Sequence, residues 1–276
     1  MRINNVSGLW AWTRLNQINR SMVGVMEQLS TGRRIPRAAF DVAGLAIANR
    51  LRAQVEGYTR AFDNIAYGIN LLNTAEGGMA SIQDRLQRMR ELAVQAANGT
   101  LTEADRAALQ AEFEQLRRGI AETARNTQYN TQNVLQGYTG TFQTGANEGQ
   151  TMNVEIPAMS PENLTANVDG TPVNLNELNI NTPEGAQQAI EALDQMINQV
   201  SEARSRVGAY TNRLEAAARN VANTIVNTTA SQSRIEDMDM ARGVMEQIRL
   251  QLLRNFTAGV LAQSNVNVRG VLGLLG

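Results

Sequence analysis

The sequence lacks three residue types that carry much of protein chemistry. It has no cysteine, no histidine and no lysine, so all 25 basic residues are arginine. Without thiols or imidazoles the chain can form no disulfide, no Cys or His metal site, no histidine-dependent triad and no HExxH zinc-protease site. The carboxylates Asp237 and Asp239 are the remaining candidates for acid–base chemistry, but no glycine-rich loop accompanies them. We therefore expect no metal, no cofactor and no enzyme activity.

Aromatic residues and unbalanced charge are also scarce. Only 4% of the residues are aromatic, 43% are hydrophobic, and the formal net charge is −1. This balance provides no basic field for nucleic acid, and the arginines are interspersed with acids rather than forming the basic face of a membrane-surface helix. Because no run of roughly 18 apolar residues occurs, we expect no membrane insertion. Residues 1–30 contain Arg2, Arg14 and Arg20 without a clean apolar segment, so we predict no cleaved signal peptide.

Proline is rare and concentrated in one region. Four of the five prolines lie in residues 157–183, between two long amphipathic stretches. This distribution predicts a mainly α fold: a long antiparallel coiled-coil helical rod formed by both termini, with a small β-hairpin region in the middle. The predicted segments are an N-terminal helix and joint (1–41), inner helices (42–135), a hairpin and short insert (136–183), an inner helix (184–234) and a C-terminal helix (235–276).

The two ends carry apolar stripes with the same period. The first comprises Leu15, Ile18, Met22, Val25 and Leu29, and the last comprises Met238, Ala241, Met245, Ile248 and Leu252, extended by Phe256 and Val260. Spacings of three and four residues in alternation form a heptad seam, which needs a partner. The partner is either the other terminus, paired antiparallel, or other copies of the chain.

The inner helices carry similar seams, and their ends have capping signals. The predicted packing residues are Leu86, Met89, Ile197, Val200, Val207 and Leu214. Thr102 with Asp105 resembles a capping box, and Thr182 before Pro183 marks another helix start. Asn98-Gly99 predicts a C-cap, and the last helix is predicted to begin near Ile235.

The middle of the chain alternates as a strand does. Met152, Val154 and Ile156 are separated by polar residues, residues 145–149 provide a turn, and Phe142 lies on the expected partner strand. We predict one or two hairpins without a separate core, because about 45 residues with few large side chains are marginal for an independent domain.

Nine short segments, in one order, resemble bacterial flagellins over nearly the whole chain. They read LSTGRRI (29–35), DVAGLAIANRLRAQ (41–54), AEGGMASIQDRLQRMRELAVQAANGT (75–100), TQYNTQNVL (127–135), QTGANEGQT (143–151), VGAYTNRLE (207–215), SRIEDMDMAR (233–242), VLAQSN (260–265) and a final VLGLLG. Two differences stand out. Trp10 and Trp12 are bulkier than the small residues usual near the start, and the large variable outer domains of the family are missing.

The resemblance implies a structural subunit that self-polymerises into an extracellular flagellar filament for swimming. Its terminal helices would order on assembly to form the inner tube. The alternative is a hook–filament junction protein with the same terminal helices. Implied partners are other copies of the chain, an export chaperone on the C-terminal helix near residues 245–260, the flagellar type III export apparatus, and the cap and junction proteins.

The resemblance also implies two smaller sites. Arg88, Leu92 and Glu112 resemble a surface that a vertebrate innate immune receptor recognises; the alternative is an ordinary helix face with an Asp84–Arg88 ion pair. The candidate hinges, where small backbone shifts would switch the filament's form, are Gly32, Pro36, Gly145 and Gly149.

Overall fold

The computed structural model describes residues 6–168 and 170–275, with side chains as far as Asn267. The helices are α1 (Val6–Thr31), α2 (Val42–Ala96), α3 (Glu103–Asn126), α4 (Pro183–Glu236) and α5 (Met240–Leu275). The strands are β1 (Gln128–Tyr129), β2 (Gln132–Asn133), β3 (Gln136–Gln143), β4 (Thr151–Ala158), β5 (Thr165–Val168) and β6 (Thr171–Asn174). With 72% of the described residues in helices, the mainly α prediction is confirmed.

The chain divides into two compact units. One is built from two separate stretches of sequence, and the other from one continuous stretch. The terminal unit comprises Met1–Val55 and Val226–Gly276, and the central unit comprises Glu56–Ile225. The long helices α2 and α4 contribute residues to both units, because each runs across a unit boundary.

Several helix ends are set by the predicted capping signals. Thr102 and Asp105 form a reciprocal capping box at the start of α3, which satisfies two backbone donors that the helix leaves unpaired. At the start of α4 the Gly185 amide donates to Thr182 Oγ1 at 3.1 Å. Gly32 follows the last residue of α1 with φ +67°, the left-handed conformation that commonly ends a helix.

Two predicted helix ends are wrong. Gly99 does not adopt the left-handed conformation of a C-cap. Instead, the buried Arg106 donates from Nε to the Ala96 carbonyl at 3.0 Å and from Nη2 to the Asn98 carbonyl at 2.9 Å, so a side chain from α3 caps α2. The last helix begins at Met240 rather than Ile235, because Ile235 still belongs to α4.

The core of the central unit lies between α2, α3 and α4. Arg88 and Ala96 of α2 contact Glu112 and Arg106 of α3, so these two helices are antiparallel. Arg90 and Gly68 of α2 lie beside Asp194 and Leu214 of α4, so α2 and α4 are antiparallel as well. Of the predicted packing residues, five are buried and the sixth is partly buried against them: Leu86, Met89, Val200, Val207, Leu214 and Ile197. Phe113, from α3, is the largest fully buried side chain.

The middle of the chain forms three antiparallel strand pairs rather than the predicted one or two hairpins. They are β1–β2, β3–β4 and β5–β6. The expected hairpin is present as β3–β4, with Phe142 directly opposite Met152. The third pair is fixed to α4 by two hydrogen bonds between the Asn167 backbone and the Gln195 side chain, at 2.9 and 2.8 Å.

The insert shares the core of the helices, as predicted. Its buried apolar residues belong to the same cluster as α2, α3 and α4; they are Leu164, Ala166, Val168, Leu175, Leu178 and Ile180. The Ile180 amide also donates to the buried Gln110 side chain of α3 at 2.9 Å. Among the described residues, no helix combines the length and hydrophobicity needed to cross a membrane.

Candidate assembly surface

The terminal helices α1 and α5 pack antiparallel on a small apolar core. Ile18 and Met22 of α1 contact Leu250 of α5, with Val25 partly buried beside them. Nearer the ends of the pair, the Ser7 and Ser264 hydroxyls lie 3.2 Å apart. The expected antiparallel pairing of the two terminal helices is therefore present within a single chain.

The helix α5 pairs through a different face from the one its stripe predicts. As far as Asn267, its buried positions are Gly243, Leu250 and Ser264. The predicted stripe instead lies mostly in solvent: Ala241, Met245, Ile248, Leu252 and Phe256 are exposed, and only Met238 is partly covered. The stripe of α1 behaves differently, because Ile18 and Met22 are buried while Leu15, Val25 and Leu29 are partly covered. One copy of the chain thus leaves the α5 stripe without a partner.

An apolar groove continues the exposed surface on the terminal pair. Trp10 of α1 and Phe256 of α5, which are 73% and 74% exposed, line a groove of about 610 Å³ together with Val6, Ala11 and Val260. Trp12, Val23 and Met26 are exposed elsewhere on α1. Apolar surface of this kind is typical of an interaction site.

The joint that follows α1 and the joint that precedes α5 are hydrogen-bonded to each other. Arg33 and Asp237 form an antiparallel β-bridge. The Met238 amide donates to the Gly32 carbonyl at 3.0 Å, and the Arg34 amide donates to the Glu236 carbonyl at 2.6 Å. These bonds join the end of α1 to the start of α5, although more than 200 residues separate them in sequence.

A buried carboxylate anchors this junction. Glu236 is 3% exposed, accepts hydrogen bonds from Arg52 Nη2 at 2.6 Å and from Gln232 Nε2 at 3.1 Å, and forms an ion pair with Arg33 Nη1 at 3.1 Å. Burial raises the pKa of Glu236, but the hydrogen bonds from Gln232 and Arg52 and the charges of Arg33 and Arg52 together outweigh burial, so its pKa lies below the ordinary value. We call Glu236, Arg33, Arg52 and Gln232 the joint lock.

The joint lock was not predicted from the sequence. The signal that could have found it is Glu236 itself, a carboxylate at the end of an amphipathic helix with Ile235 beside it and two arginines, Arg33 and Arg34, in the other joint. Its partner Arg52 lies in α2, far from Glu236 in sequence, so only the fold identifies the complete group.

The segment that contains the hinge candidate Pro36 is held against the end of α1. Arg37 forms an ion pair with Glu27, and its guanidinium lies 5.7 Å from the centre of the Phe40 ring. Gln28 Nε2 donates to the Arg34 carbonyl at 2.6 Å. The joint is therefore an ordered connection with several side-chain contacts.

Of the three residues proposed to contact an immune receptor, Arg88 and Glu112 form an ion pair with each other. Arg88 donates to Glu112 Oε1 from Nε at 3.0 Å and from Nη2 at 2.8 Å, and to Glu91 Oε2 from Nη1 at 3.0 Å. Hydrogen bonds to Glu91, which contributes most, and to Glu112 raise the pKa of Arg88. In the alternative interpretation of an ordinary helix face, Glu91 rather than Asp84 is the intrahelical partner of Arg88. Leu92 is 1% exposed and belongs to the core, so it contributes nothing to the surface of the single chain.

The remaining hinge candidates lie in the turn between β3 and β4. Gly149 has φ +79°, a conformation that favours glycine. A Cβ at Gly145 would lie 2.0 Å from Gln150 Oε1, and Gln143 Nε2 donates to the Gly145 carbonyl at 2.8 Å. The turn is thus closely packed by its own side chains. Within the described ranges, no group of three or more acidic, His or Cys side chains is placed to hold a metal ion.

Comparison with known proteins matches both ends of the chain to one family. The bacterial flagellin N-terminal helical region matches residues 3–140, and the bacterial flagellin C-terminal helical region matches residues 190–275. The chain is 41% identical to a flagellin of Halalkalibacterium halodurans, over 91% of this chain and 90% of that protein.

The chain belongs to the bacterial flagellin family.

Two further relatives agree with this assignment. The chain is 36% identical to a flagellar filament core protein of Treponema phagedenis, over 99% of this chain and 98% of that protein. The crystal structure of Bacillus cereus flagellin matches with a TM-score of 0.50 and 28% identity, over 58% of this chain and 88% of that one. This flagellin therefore matches filament subunits over nearly its full length, and the hook–filament junction alternative is not favoured.

Proposed function

We propose that this flagellin is a structural subunit that polymerises into a flagellar filament for swimming, and that α1 and α5 form the contacts between copies. One observation carries the proposal. The predicted seam on α5 is exposed in the single chain, whereas the seams of α2 and α4 are buried in the central unit. A seam that stays open in one copy needs a second copy to cover it.

The energetics favour assembly over a closed monomer. Fully burying a side chain such as Met245, Ile248, Leu252 or Phe256 stabilises by about 1.5–3 kcal/mol. One chain leaves these side chains in water. A head-to-tail contact that does not close into a ring extends into an open helical polymer.

The small core of the terminal unit supports ordering on assembly. Its buried apolar cluster holds only Ile18, Met22 and Leu250 among the described residues, while α1 and α5 are 26 and 36 residues long. Fixing each residue costs roughly 1–2 kcal/mol of conformational entropy. We infer that the terminal helices are the least stable part of the free subunit and gain stability when neighbours bury the exposed stripe.

The exposed stripe also suits the partners implied by the family. The apolar face near Met245, Ile248 and Leu252 is a binding surface for an export chaperone before assembly, and the same face then contacts other copies. The export apparatus, the cap and the hook–filament junction proteins are proposed as the chain's other partners, and the flagellar filament outside the cell is its proposed location.

Arg88 and Glu112 remain the candidate contacts for an innate immune receptor. Both are accessible and form one ion-pair group, whereas Leu92 is buried. Receptor binding by the purified chain should fall in an Arg88→Ala variant and stay unchanged in an Arg60→Ala variant, because Arg60 is also an exposed helical arginine. Equal binding by the two variants would remove the surface from consideration.

Substitution of Gly145 tests the proposal that the turn between β3 and β4 switches the filament's form. Valine there would collide with Gln150, so the turn would have to change. We expect Gly145→Val filaments to differ in helical form from the parent when observed by electron microscopy. Filaments of unchanged form would count against a switching role for this turn.

The principal experiment is polymerisation of the purified chain, followed by negative-stain electron microscopy with and without filament seeds. The test variant replaces Met245, Ile248 and Leu252 by glutamine. The matched control changes Gln251→Asn and Asn255→Ser, which are exposed polar positions of the same helix. We expect filaments from the parent and the control and none from the test variant.

The other outcomes are equally informative. Filaments from the triple-glutamine variant, or from a chain lacking residues 1–30 and 245–276, would overturn the role of the terminal helices. A parent chain that adds to seeds only as a terminal cap would favour a junction protein.

A further inference from the structure

The turn between α2 and α3 contains the only Asn-Gly pair in the sequence, Asn98-Gly99. Both residues and Thr100 are exposed to solvent. A glycine after asparagine leaves the backbone nitrogen open to approach the asparagine side chain, because it has no Cβ to obstruct the approach. Nothing lies within 4 Å of the position that a Cβ on Gly99 would occupy.

The local hydrogen bonds polarise the Asn98 side-chain carbonyl and leave the Gly99 amide without a protein acceptor among the described residues. The Thr100 amide donates to Asn98 Oδ1 at 3.1 Å, which polarises the side-chain carbonyl and would stabilise negative charge developing on that oxygen. The Gly99 amide donates to no protein acceptor among the described residues. The nearby amides are engaged differently, since Asn98 N donates to the Gln95 carbonyl and Leu101 N to the Asn98 carbonyl.

A fixed cation contacts the main-chain carbonyl of Asn98. Arg106 Nη2 donates to this oxygen at 2.9 Å while Nε donates to the Ala96 carbonyl at 3.0 Å, and Arg106 is 7% exposed. The guanidinium stays charged at any relevant pH. Its position is set by two hydrogen bonds and by burial, so it stays in place while the exposed turn reacts.

We propose that Asn98 is a site of spontaneous conversion to isoaspartate and that Arg106 directs the reaction towards that product. The Gly99 backbone nitrogen loses its proton and attacks Asn98 Cγ, so a new N–C bond forms. The Cγ–Nδ2 bond then breaks, and the side-chain nitrogen leaves as ammonia with the released proton. The product is a five-membered succinimide that links residues 98 and 99.

Water opens the ring at one of two carbonyls. Attack at Cγ regenerates the normal backbone and gives aspartate. Attack at the former main-chain carbonyl breaks its bond to the Gly99 nitrogen, so the chain continues through the side chain and the main-chain carbon becomes a free carboxylate. Arg106 polarises this second carbonyl and forms a charge-assisted hydrogen bond with the carboxylate produced there.

The conversion would change the subunit in two ways. It adds one negative charge, which takes the formal net charge from −1 to −2. It also inserts a methylene into the main chain at the turn between α2 and α3. The reaction needs only water and takes place in the soluble chain, so the proposal stands or falls separately from polymerisation.

The experiment ages the purified full-length chain at mildly alkaline pH and maps its peptides by mass spectrometry, with isoaspartate counted by enzymatic methylation. A synthetic peptide covering residues 94–104 is aged in parallel. We expect conversion at Asn98 to exceed conversion at Asn163 and Asn227, both of which are exposed. We also expect the isoaspartate share of the product to be higher in the folded chain than in the peptide.

Two matched variants separate the attacking group from the directing group. Gly99→Ala fits the open space and the ordinary backbone conformation at this position, so it should retain the helices and lose most of the conversion. Arg106→Lys keeps the charge and should retain part of the isoaspartate excess, whereas Arg106→Gln should return the share to that of the peptide. The share, rather than the rate, is decisive, because local loosening changes the rate alone.

Two results would overturn the proposal. If Asn98 converted no faster than Asn227, Asn98 would not be a preferred site of isoaspartate formation. An isoaspartate share that is identical in the parent chain, the Arg106→Gln variant and the peptide would remove the role of Arg106.

Discussion

The central and terminal units are built from the same kind of helix but differ in how their apolar faces are covered. In the central unit three helices and the strand pairs enclose a continuous core that includes Leu72, Met79 and Phe113. In the terminal unit α1 and α5 meet on a few residues, and large side chains such as Trp10 and Phe256 face solvent. Two helices in contact cannot cover both faces of either one, whereas a third element can.

The difference teaches that an amphipathic stripe predicts the need for a partner without saying which partner. The stripes of α2 and α4 are covered within the chain, and the similar stripe of α5 is not. We therefore assign folding stability chiefly to the central unit and assembly chiefly to the terminal unit. Substitutions of the same residue type in the two units test this assignment of stability and assembly.

The largest expected effect comes from one pair of phenylalanines. Phe113→Ala empties a fully buried site and should lower the free energy of unfolding by about 3–5 kcal/mol. Phe256→Ala removes a side chain that is 74% exposed and should change it by no more than about 0.5 kcal/mol. Urea unfolding followed by far-UV circular dichroism measures both.

Polymerisation should show the opposite order. Phe256→Ala should slow or prevent filament growth in a light-scattering assay, although the monomer stays folded. If both variants lowered unfolding stability equally, the terminal unit would have a more enclosed core than the exposures indicate.

The next effect lies at the joint lock. Glu236→Gln keeps the shape of the side chain and removes the charge that pairs with Arg33 and Arg52. Because the carboxylate is buried while the arginines remain partly accessible, we expect a loss of about 1–3 kcal/mol. Both tryptophans lie in α1, so tryptophan fluorescence during urea unfolding reports on the terminal unit. The control is Glu215→Gln, which affects an exposed pair with Arg219.

The joint lock also makes the terminal unit sensitive to acid. The pKa of Glu236 in the folded chain lies below its ordinary value of 4.5, because hydrogen bonds from Gln232 and Arg52 and the nearby arginine charges outweigh burial. Its stabilising contribution is therefore complete above about pH 4.5 and is lost as the pH falls below that value. The fluorescence midpoint should fall more steeply with acid in the parent than in Glu236→Gln. Parallel acid profiles would show that other carboxylates control the transition.

Two adjacent glycines in α2 provide a finer test of packing in the central unit. A Cβ at Gly77 would meet nothing within 4 Å, whereas a Cβ at Gly78 would lie 2.7 Å from Leu135 Cδ1 and 2.8 Å from Thr127 Oγ1. Gly77→Ala should stabilise by about 0.5–1 kcal/mol, because alanine loses less backbone freedom in a helix. Gly78→Ala should destabilise by about 1–3 kcal/mol through overpacking. Equal shifts in the urea midpoint would contradict the close approach at Gly78.

A local effect is expected at the start of α3. Thr102→Ala removes the side chain that accepts from the Asp105 amide, and we expect a loss of about 1 kcal/mol. Thermal unfolding by circular dichroism measures it, with Thr100→Ala as the control, because Thr100 uses its backbone rather than its side chain in this turn. A Thr100→Ala effect as large as that of Thr102→Ala would point to the turn instead of the cap.

Local signals in the sequence predicted much of the fold. The capping box at Thr102, the start of α4 at Thr182 and the Phe142–Met152 strand pair were all predictable, because each depends on residues close together in sequence or on a simple alternation. The role of Arg106 was not predictable in the same way. Its side chain replaces a glycine cap only because α3 turns back along α2.

The candidate assembly surface shows the same limit. Periodicity identified the stripes on α1 and α5, but it left open whether each stripe faces the other terminus or other copies of the chain. A helix has more than one face with an acceptable spacing, and here Gly243 and Leu250 form the contact face because they allow close packing. The joint lock was missed because its charges come from three separate segments.

The sequence by itself determined that this chain forms long amphipathic helices at both ends, can form no disulfide and no Cys or His metal site, and belongs with the flagellins. Those properties depend on residue type and spacing along the chain. Only the tertiary structure decided which stripe remains exposed, which carboxylate connects the joints, and which arginine contacts Asn98. Coverage of a face and pairing of a buried charge depend on segments that are distant in sequence and meet only when the chain folds.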